Sequence, residues 1–349
     1  MASSPTSQRV LITGANGYIA AWLCRIHLEQ GDSVLGTVRA ASKGKLLEEI
    51  FVQYGDRFKI AVVEDITKPG AFDEVVKGVD IVQHTASPTG FNWKTAEEAI
   101  GPAVRGTVGI LESVKNFGTS VHRVVLLSSV VAVGLGQPTQ GRTVLDESSW
   151  NDWAVAEVEE KGDASSPAIM YRASKTLAER AAWKFMDDNK ASISFDLAAV
   201  NPALNFGPPI PNVGSLDELS RSLAFLYQTL LVNTGVPATF DETDLWFVDV
   251  RDVAQALFFA ARNPRAGGER FLIAATPYLS QDAVDAANEV DPTIKATVSP
   301  GAAGGKTVDL QYDTSKAARI LGMTDYRSLK VSIKDSLAFF KTLSVSASV

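Results

Sequence analysis

The chain has 349 residues, 46% hydrophobic and 21% charged, with 33 Lys and Arg against 40 Asp and Glu for a net charge of −7. That length and balance fit one large or two modest globular domains with a full apolar core. They argue against a nucleic-acid binder working through a basic surface. The single cysteine, Cys24, excludes an internal disulfide, and no Cys/His grouping has metal-site spacing.

The N-terminal MASSPTSQ is polar and lacks the basic and apolar regions of a secretory signal. No segment reads as a membrane span. A cytoplasmic protein is expected, with Cys24 as a small core residue.

In chain order, Arg9–Thr13 reads as a β-branched strand ending in glycine, and Tyr18–Gln30 as a helix. Ser33–Val38 is a second strand, Lys43–Tyr54 a helix, Phe58–Val63 a third strand and Asp80–His84 a fourth. Thr95–Phe117 is a long helix, His122–Ser128 a nearly continuous apolar strand, Ala168–Asp188 a helix and Ile193–Val200 a strand. Strands alternating with helices predict an α/β fold, a Rossmann-type doubly wound parallel sheet. The alternation then loosens. Gly207–Gly214 is Pro-rich and a candidate lid, Leu216–Leu231 and Val253–Ala261 are helical, Pro300–Lys306 is a Gly-rich loop, and Ser328–Phe340 is a closing helix. Residues 1–200 are expected to form this Rossmann domain. Residues 201–349 should form mostly a smaller substrate-binding lobe, with segments exchanged between the two.

Gly14-Ala15-Asn16-Gly17-Tyr18-Ile19-Ala20 joins the first strand to the first helix. Gly14 permits the tight turn, Gly17 lets the backbone approach a pyrophosphate, and Ala20 lets helix press on strand, while the free N–H groups of the helix start face the anion. An NAD site would place an acid after the second strand to grip the ribose 2′-OH. Here Arg39 stands there, followed by Lys43 and Lys45. Cations at that point suit a 2′-phosphate, so the expected cofactor is NADPH/NADP+. Asp65 is placed to accept from the adenine amino group and Ile66 to pack its ring. Ala86 and Ser87, after the fourth strand, are small enough for close approach of a cofactor.

Tyr171-Arg172-Ala173-Ser174-Lys175 puts a phenol and an ammonium on one helix face. Carbonyl reduction adds hydride to carbon and needs a proton at oxygen. A tyrosine of pKa about 10 is protonated at neutral pH. Lys175 is expected to stabilise the phenolate left behind, lowering that pKa by about two to three pH units. Ser128-Ser129 ends the fifth strand, at the edge where ligands bind. Alternation turns only one of them to the cleft, and Ser129 is chosen to hold the substrate oxygen.

TGANGYIA, LLSSV, YRASK, NPALNFGP and FVDVRDVAQA together span most of the chain. In these the sequence resembles the extended short-chain dehydrogenase/reductase family. Through GTVRAASK, VVEDIT and AAWKFMDDNK it is similar to fungal NADPH-dependent aldehyde, ketone and methylglyoxal reductases and to dihydroflavonol reductases. The resemblance implies Ser129, Tyr171 and Lys175 as catalytic residues. It also implies cofactor contacts at Gly14, Gly17, Tyr18, Ile19, Arg39, Lys43, Asp65, Ile66, Ala86, Ser87, Tyr171, Lys175 and Pro202. Two departures stand out. Ala103-Val104-Arg105-Gly106-Thr107 replaces the Asn-Val-x-Gly-Thr run of many members, and Val130-Val131-Ala132 replaces the Thr-Asp-Glu of sugar-nucleotide dehydratases.

Phe91, Trp93 and Phe206 are the preferred substrate-pocket walls, with Phe225, Tyr227 and Trp246 as further candidates. Few charges surround them, which predicts a small or medium uncharged ketone or aldehyde. The expected function is an NADPH-dependent carbonyl reductase acting as monomer or homodimer, without nucleic-acid or membrane partners. The competing readings are an NAD-retaining sugar-nucleotide epimerase and a non-catalytic dinucleotide-sensing regulator.

Overall fold

The computed structural model describes residues 7–88, 92–135, 141–210, 215–232, 245–294 and 309–346. In chain order they form β1 (Arg9–Thr13), α1 (Tyr18–Glu29), β2 (Ser33–Val38), α2 (Lys45–Ile50), β3 (Phe58–Val62), β4 (Ile81–His84), α3 (Ala96–Phe117) and β5 (Arg123–Leu127). Then come β6 (Thr143–Leu145), α4 (Asp152–Lys161), α5 (Pro167–Asn189), β7 (Asp196–Pro202), β8 (Leu204–Phe206), α6 (Arg221–Tyr227) and β9 (Leu245–Asp249). The chain closes with α7 (Val250–Arg262), β10 (Arg270–Ile273), β11 (Thr276–Tyr278), α8 (Ser280–Val290), β12 (Leu310–Tyr312) and α9 (Leu329–Ser346).

Seven strands form one sheet in the order β10-β7-β5-β4-β1-β2-β3, and every neighbouring pair in it is parallel. The Rossmann-type sheet read from the sequence is thus present. The chain winds outward from β1 in one direction through β2 and β3, then crosses back to β4. Between β1 and β4 the winding reverses, and loops leaving the carboxyl ends of such strands diverge to open a crevice. Beyond residue 200 the chain re-enters this sheet as β10. It also builds a small sheet of β8, β9 and β11 and pairs β12 with β6.

Strand alternation distributes the core. Leu11, Val82, Val124 and Leu197 face one side, where Ile110, Leu111 and Val114 of α3 and Ala182 of α5 cover them. Val10, Ile12, Val125, Ala198 and Val200 face the other, beneath Leu23, Cys24 and Leu28 of α1 and Val253 and Leu257 of α7. Cys24 is fully buried. No helix among the described residues is long and apolar enough to cross a membrane.

Two expected helices are broken. Lys43–Tyr54 is a 3-10 turn, the short α2 and a second 3-10 turn. Leu216–Leu231 is interrupted at Ser220, whose hydroxyl accepts from the Leu223 N–H and restarts the helix as α6. A side chain that takes a backbone N–H in this way begins a helix rather than continuing one. Pro300–Lys306 and the second half of the Pro-rich loop, 211–214, lie outside the described residues.

Strand β2 bears directly on the β1–α1 turn. A Cβ at Gly36 would fall 2.7 Å from Ala15 Cβ and 3.2 Å from Ile60. Gly36→Ala should therefore destabilise the protein by about 1–3 kcal/mol through overpacking. Equilibrium urea unfolding measures this, and a loss under 0.5 kcal/mol would show that the strand and turn yield easily.

Candidate active site

Gly14 leaves β1 with φ +67°, and a Cβ there would stand 3.2 Å from Ala86 Cα and Cβ. The turn and the segment after β4 are therefore in backbone contact. Thr13 ties the same edge. Its Oγ1 accepts from the Thr85 and Ala86 N–H groups, each at 3.0 Å, and lies 3.0 Å from His84 Nδ1. With its lone pairs engaged, the hydroxyl donates to Nδ1, which leaves the ring hydrogen on Nε2. Burial holds the His84 pKa down at about 3, and the Lys175 charge pushes the same way.

Gly17 precedes α1 and offers no side-chain cap, and the first turn carries no acid. A helix start of this kind has the donors and the field for a pyrophosphate. Tyr18 and Ile19 are partly buried at that start. The Tyr18 hydroxyl donates to Gly207 O at 2.6 Å, so its side chain joins the Pro-rich loop. Arg39 is exposed just after β2. Lys43 is ion-paired to Glu218 at 3.0 Å, a partner 175 residues away that local pattern does not reveal. Asp65 is held below the usual carboxylate range by the hydroxyl and N–H of Thr67, both bonded to Oδ1. Ile66 packs on α3 at Gly106, where a Cβ would come within 2.9 Å of it. Ala86 and Ser87 are partly buried, and Pro202 ends β7 in the interior.

The fifth strand separates its two serines as alternation requires. Ser128 is buried and donates to Glu179 Oε2 at 2.6 Å. Ser129, partly exposed, accepts from the Val131 N–H and is hydrogen-bonded to the Tyr171 hydroxyl. Helix α5 begins at Ser166, whose hydroxyl accepts from the Ile169 N–H, with Pro167 at its first position. That start puts Tyr171 and Lys175 one turn apart. Lys175 Nζ lies 6.0 Å from the centre of the Tyr171 ring. Ser129, Tyr171 and Lys175 are thus together at the carboxyl edge of the sheet.

The expected lowering of the phenol pKa is not what the structure gives. Burial pushes Tyr171 up to about 12, opposed by the positive charge of Arg221 and the bond from Ser129. Burial brings Lys175 down to about 8, opposed by Glu179. Desolvation disfavours the charged form of each group and outweighs its neighbours. Arg221, at the start of α6, was not legible as a site residue, because nothing in the local sequence ties α6 to α5.

The aromatic walls divide. Trp93 is partly buried. Phe206 is fully buried and packs on Phe225, Phe247 and Tyr278 at 5.3–6.5 Å between ring centres. It belongs to an aromatic core, which corrects its assignment as a pocket wall. Phe91 lies outside the described residues.

The sequence pattern of the NAD dependent epimerase/dehydratase family matches residues 10–274. The chain belongs to this family. The membership read from the motifs is borne out. Among curated family relatives, a ketoreductase of Aspergillus niger is 35% identical, over 95% of this chain and 97% of that one. The NADPH-dependent methylglyoxal reductase of Saccharomyces cerevisiae is 33% identical, over 94% and 96%. The crystal structure of the yeast methylglyoxal/isovaleraldehyde reductase complexed with NADPH aligns with a TM-score of 0.87 at 33% identity, covering 97% of this chain and 99% of that one.

The two serines should separate in a stability assay. Ser128→Ala leaves a buried carboxylate one donor short and should cost about 1–3 kcal/mol. Ser129→Ala, partly exposed, should cost under about 1 kcal/mol. Chemical unfolding of both variants checks this, and equal losses would contradict the placement.

Proposed function

We propose that this protein is an NADPH-dependent carbonyl reductase acting on small or medium uncharged ketones or aldehydes. The observation that carries the reading is the Ser129–Tyr171 hydrogen bond with Lys175 beside the ring, at the crevice edge of a parallel sheet. Support comes from the named activities of the Aspergillus and yeast relatives.

The residues present fit the cofactor. The close-packed Gly14 turn and the uncapped start of α1 suit a pyrophosphate, and Arg39 with Lys43 suits a 2′-phosphate. Asp65, Ile66, Ala86, Ser87 and Pro202 complete the proposed contacts. In this reading residues 1–200 carry the dinucleotide, and residues 201–349 build most of the substrate side, with β10 returned to the first lobe. A cytoplasmic monomer or homodimer agrees with it.

NADPH, held at the Gly14 turn and the start of α1, would supply the hydride for the carbonyl carbon. Ser129 holds the carbonyl oxygen by its hydroxyl. Tyr171 gives its proton to that oxygen as the C=O π pair moves onto it, which leaves an alcohol and a phenolate. Lys175, as the ammonium, stabilises that phenolate, and solvent returns the proton. Because burial keeps the phenol protonated to about pH 12, the acid is present across the working range. Its reactivity then depends on cations gathered around the departing charge.

Two measurements test this. Tyr171→Phe should lower kcat by about 10²–10⁴-fold while NADPH still binds, as followed by fluorescence titration; unchanged turnover would refute the mechanism. Arg39→Ala should weaken NADPH binding about 10–100-fold by loss of a charge-assisted contact and leave NADH binding nearly unaltered. Equal weakening of both would remove Arg39 from the 2′-phosphate.

A further inference from the structure

Glu179 is one helical turn beyond Lys175 on α5 and is 1% exposed. Four donors converge on it. Ser128 Oγ and Asn201 Nδ2 reach Oε2 at 2.6 and 2.7 Å, and Arg270 Nε and Trp183 Nε1 reach Oε1 at 2.6 and 3.3 Å. The four donors thus engage both oxygens of the carboxyl group. The Asn201 amide also donates to Ser129 O at 3.1 Å. One carboxylate thereby braces the backbone that presents the Ser129 hydroxyl.

We propose that Glu179 is a positioning residue for the Ser129–Tyr171–Lys175 set. Its buried carboxylate holds the Lys175 ammonium charged and, through Asn201 and Ser128, fixes the end of β5. This rests on reading those three residues as the reacting set.

The charged and titratable surroundings are few. From β4, His84 faces Lys175, but it is neutral above about pH 3 and supplies no charge. On α5 itself, Tyr171 is neutral to about pH 12. Arg221 of α6 faces Tyr171 and adds positive charge, and Arg270 of β10 faces Glu179. Glu179 is the negative group acting on Lys175. Burial draws this lysine toward the free amine, and Glu179 opposes that. A lysine titrating near 8 is mostly charged at neutral pH. One titrating a unit lower is half discharged there.

The test is the titration of Lys175 in the full, cofactor-free chain. NMR of protein labelled at lysine Cε reads it, with the Lys175 signal assigned by its loss in Lys175→Met. In Glu179→Gln the Lys175 midpoint should fall by about one pH unit or more, and the alkaline limb of kcat for NADPH-driven ketone reduction should move to lower pH with it. Glu179→Asp keeps the charge and should hold the midpoint near that of wild type, although it shortens the reach to Ser128 and Asn201. Arg270 retains the carbonyls of Glu147 and Ser149 at 2.7 and 2.8 Å and the Trp150 face at 3.7 Å, so the Gln variant keeps most of its local structure. Should it still fail to fold, Glu179→Gln combined with Arg270→Gln removes both buried charges and should lower the midpoint in the same direction. A folded variant whose Lys175 midpoint stays within 0.3 units of wild type overturns the proposal. The NMR readout needs no turnover, so wild-type protein that reduces no carbonyl would sink the reductase reading while the midpoint still decides this one.

Discussion

The structure is organised around an ammonium and a phenol taken out of water at the same place. Desolvation drives Lys175 toward the free amine and Tyr171 toward the intact phenol. In the proposed mechanism the second effect keeps the acid loaded, whereas the first works against it, because an uncharged lysine cannot stabilise a phenolate. The fold answers with charge from elsewhere: Glu179 beneath the lysine, and Arg221 beside the phenol. Burial also makes that charge effective, since its field is screened less than at a surface.

That arrangement depends on the parallel sheet. Only when β5 and β7 run side by side in the same direction do their ends bring Ser129 and Asn201 to one edge, where the Asn201 amide bridges Ser129 O and Glu179. Only at the reversal between β1 and β4 can the Gly14 turn meet Ala86 so closely. Thr13 reinforces this point, since one hydroxyl satisfies two N–H groups and orients His84. The Thr13, Asn201 and Ser128 contacts depend on strand register, so a one-residue slip would unpair several of them together.

Features written in local sequence were the legible ones. The Gly14–Gly17 turn, the apolar strands and the Tyr171–Lys175 spacing each follow from periodicity or backbone demands within about ten residues. Strand alternation predicts that only one of Ser128 and Ser129 meets the cleft, and the structure turns the Ser128 hydroxyl to Glu179. What escaped was tertiary. Arg221 reaches Tyr171 from a helix fifty residues on, and Glu218 reaches Lys43 across an even longer separation. Phe206 failed as a wall because its apolar character says nothing about whether β8 turns it to the aromatic core or to a pocket. The Tyr171 shift failed in sign because a sequence displays the charged neighbour but not the loss of water.

Contacts between the dinucleotide side and the later chain differ greatly in weight. The Lys43–Glu218 pair is about two-fifths exposed on each side, and pairs of this kind contribute about 0–1 kcal/mol. Tyr18 and Trp22 of α1 instead donate from partly buried positions to the Gly207 and Pro208 carbonyls, at 2.6 and 2.8 Å. Gly207 has φ +127°, and a Cβ there would stand 3.0–3.2 Å from Val250 and Asp249. Its N–H donates to Ser336 of α9. A single glycine therefore joins α1, β9 and α9, in a conformation that other residues rarely adopt. The start of the Pro-rich loop is consequently fixed to α1, while near Glu218 an exposed ion pair reaches Lys43. Gly207, five residues past the end of β7, is thus a point where α1, β9 and α9 meet.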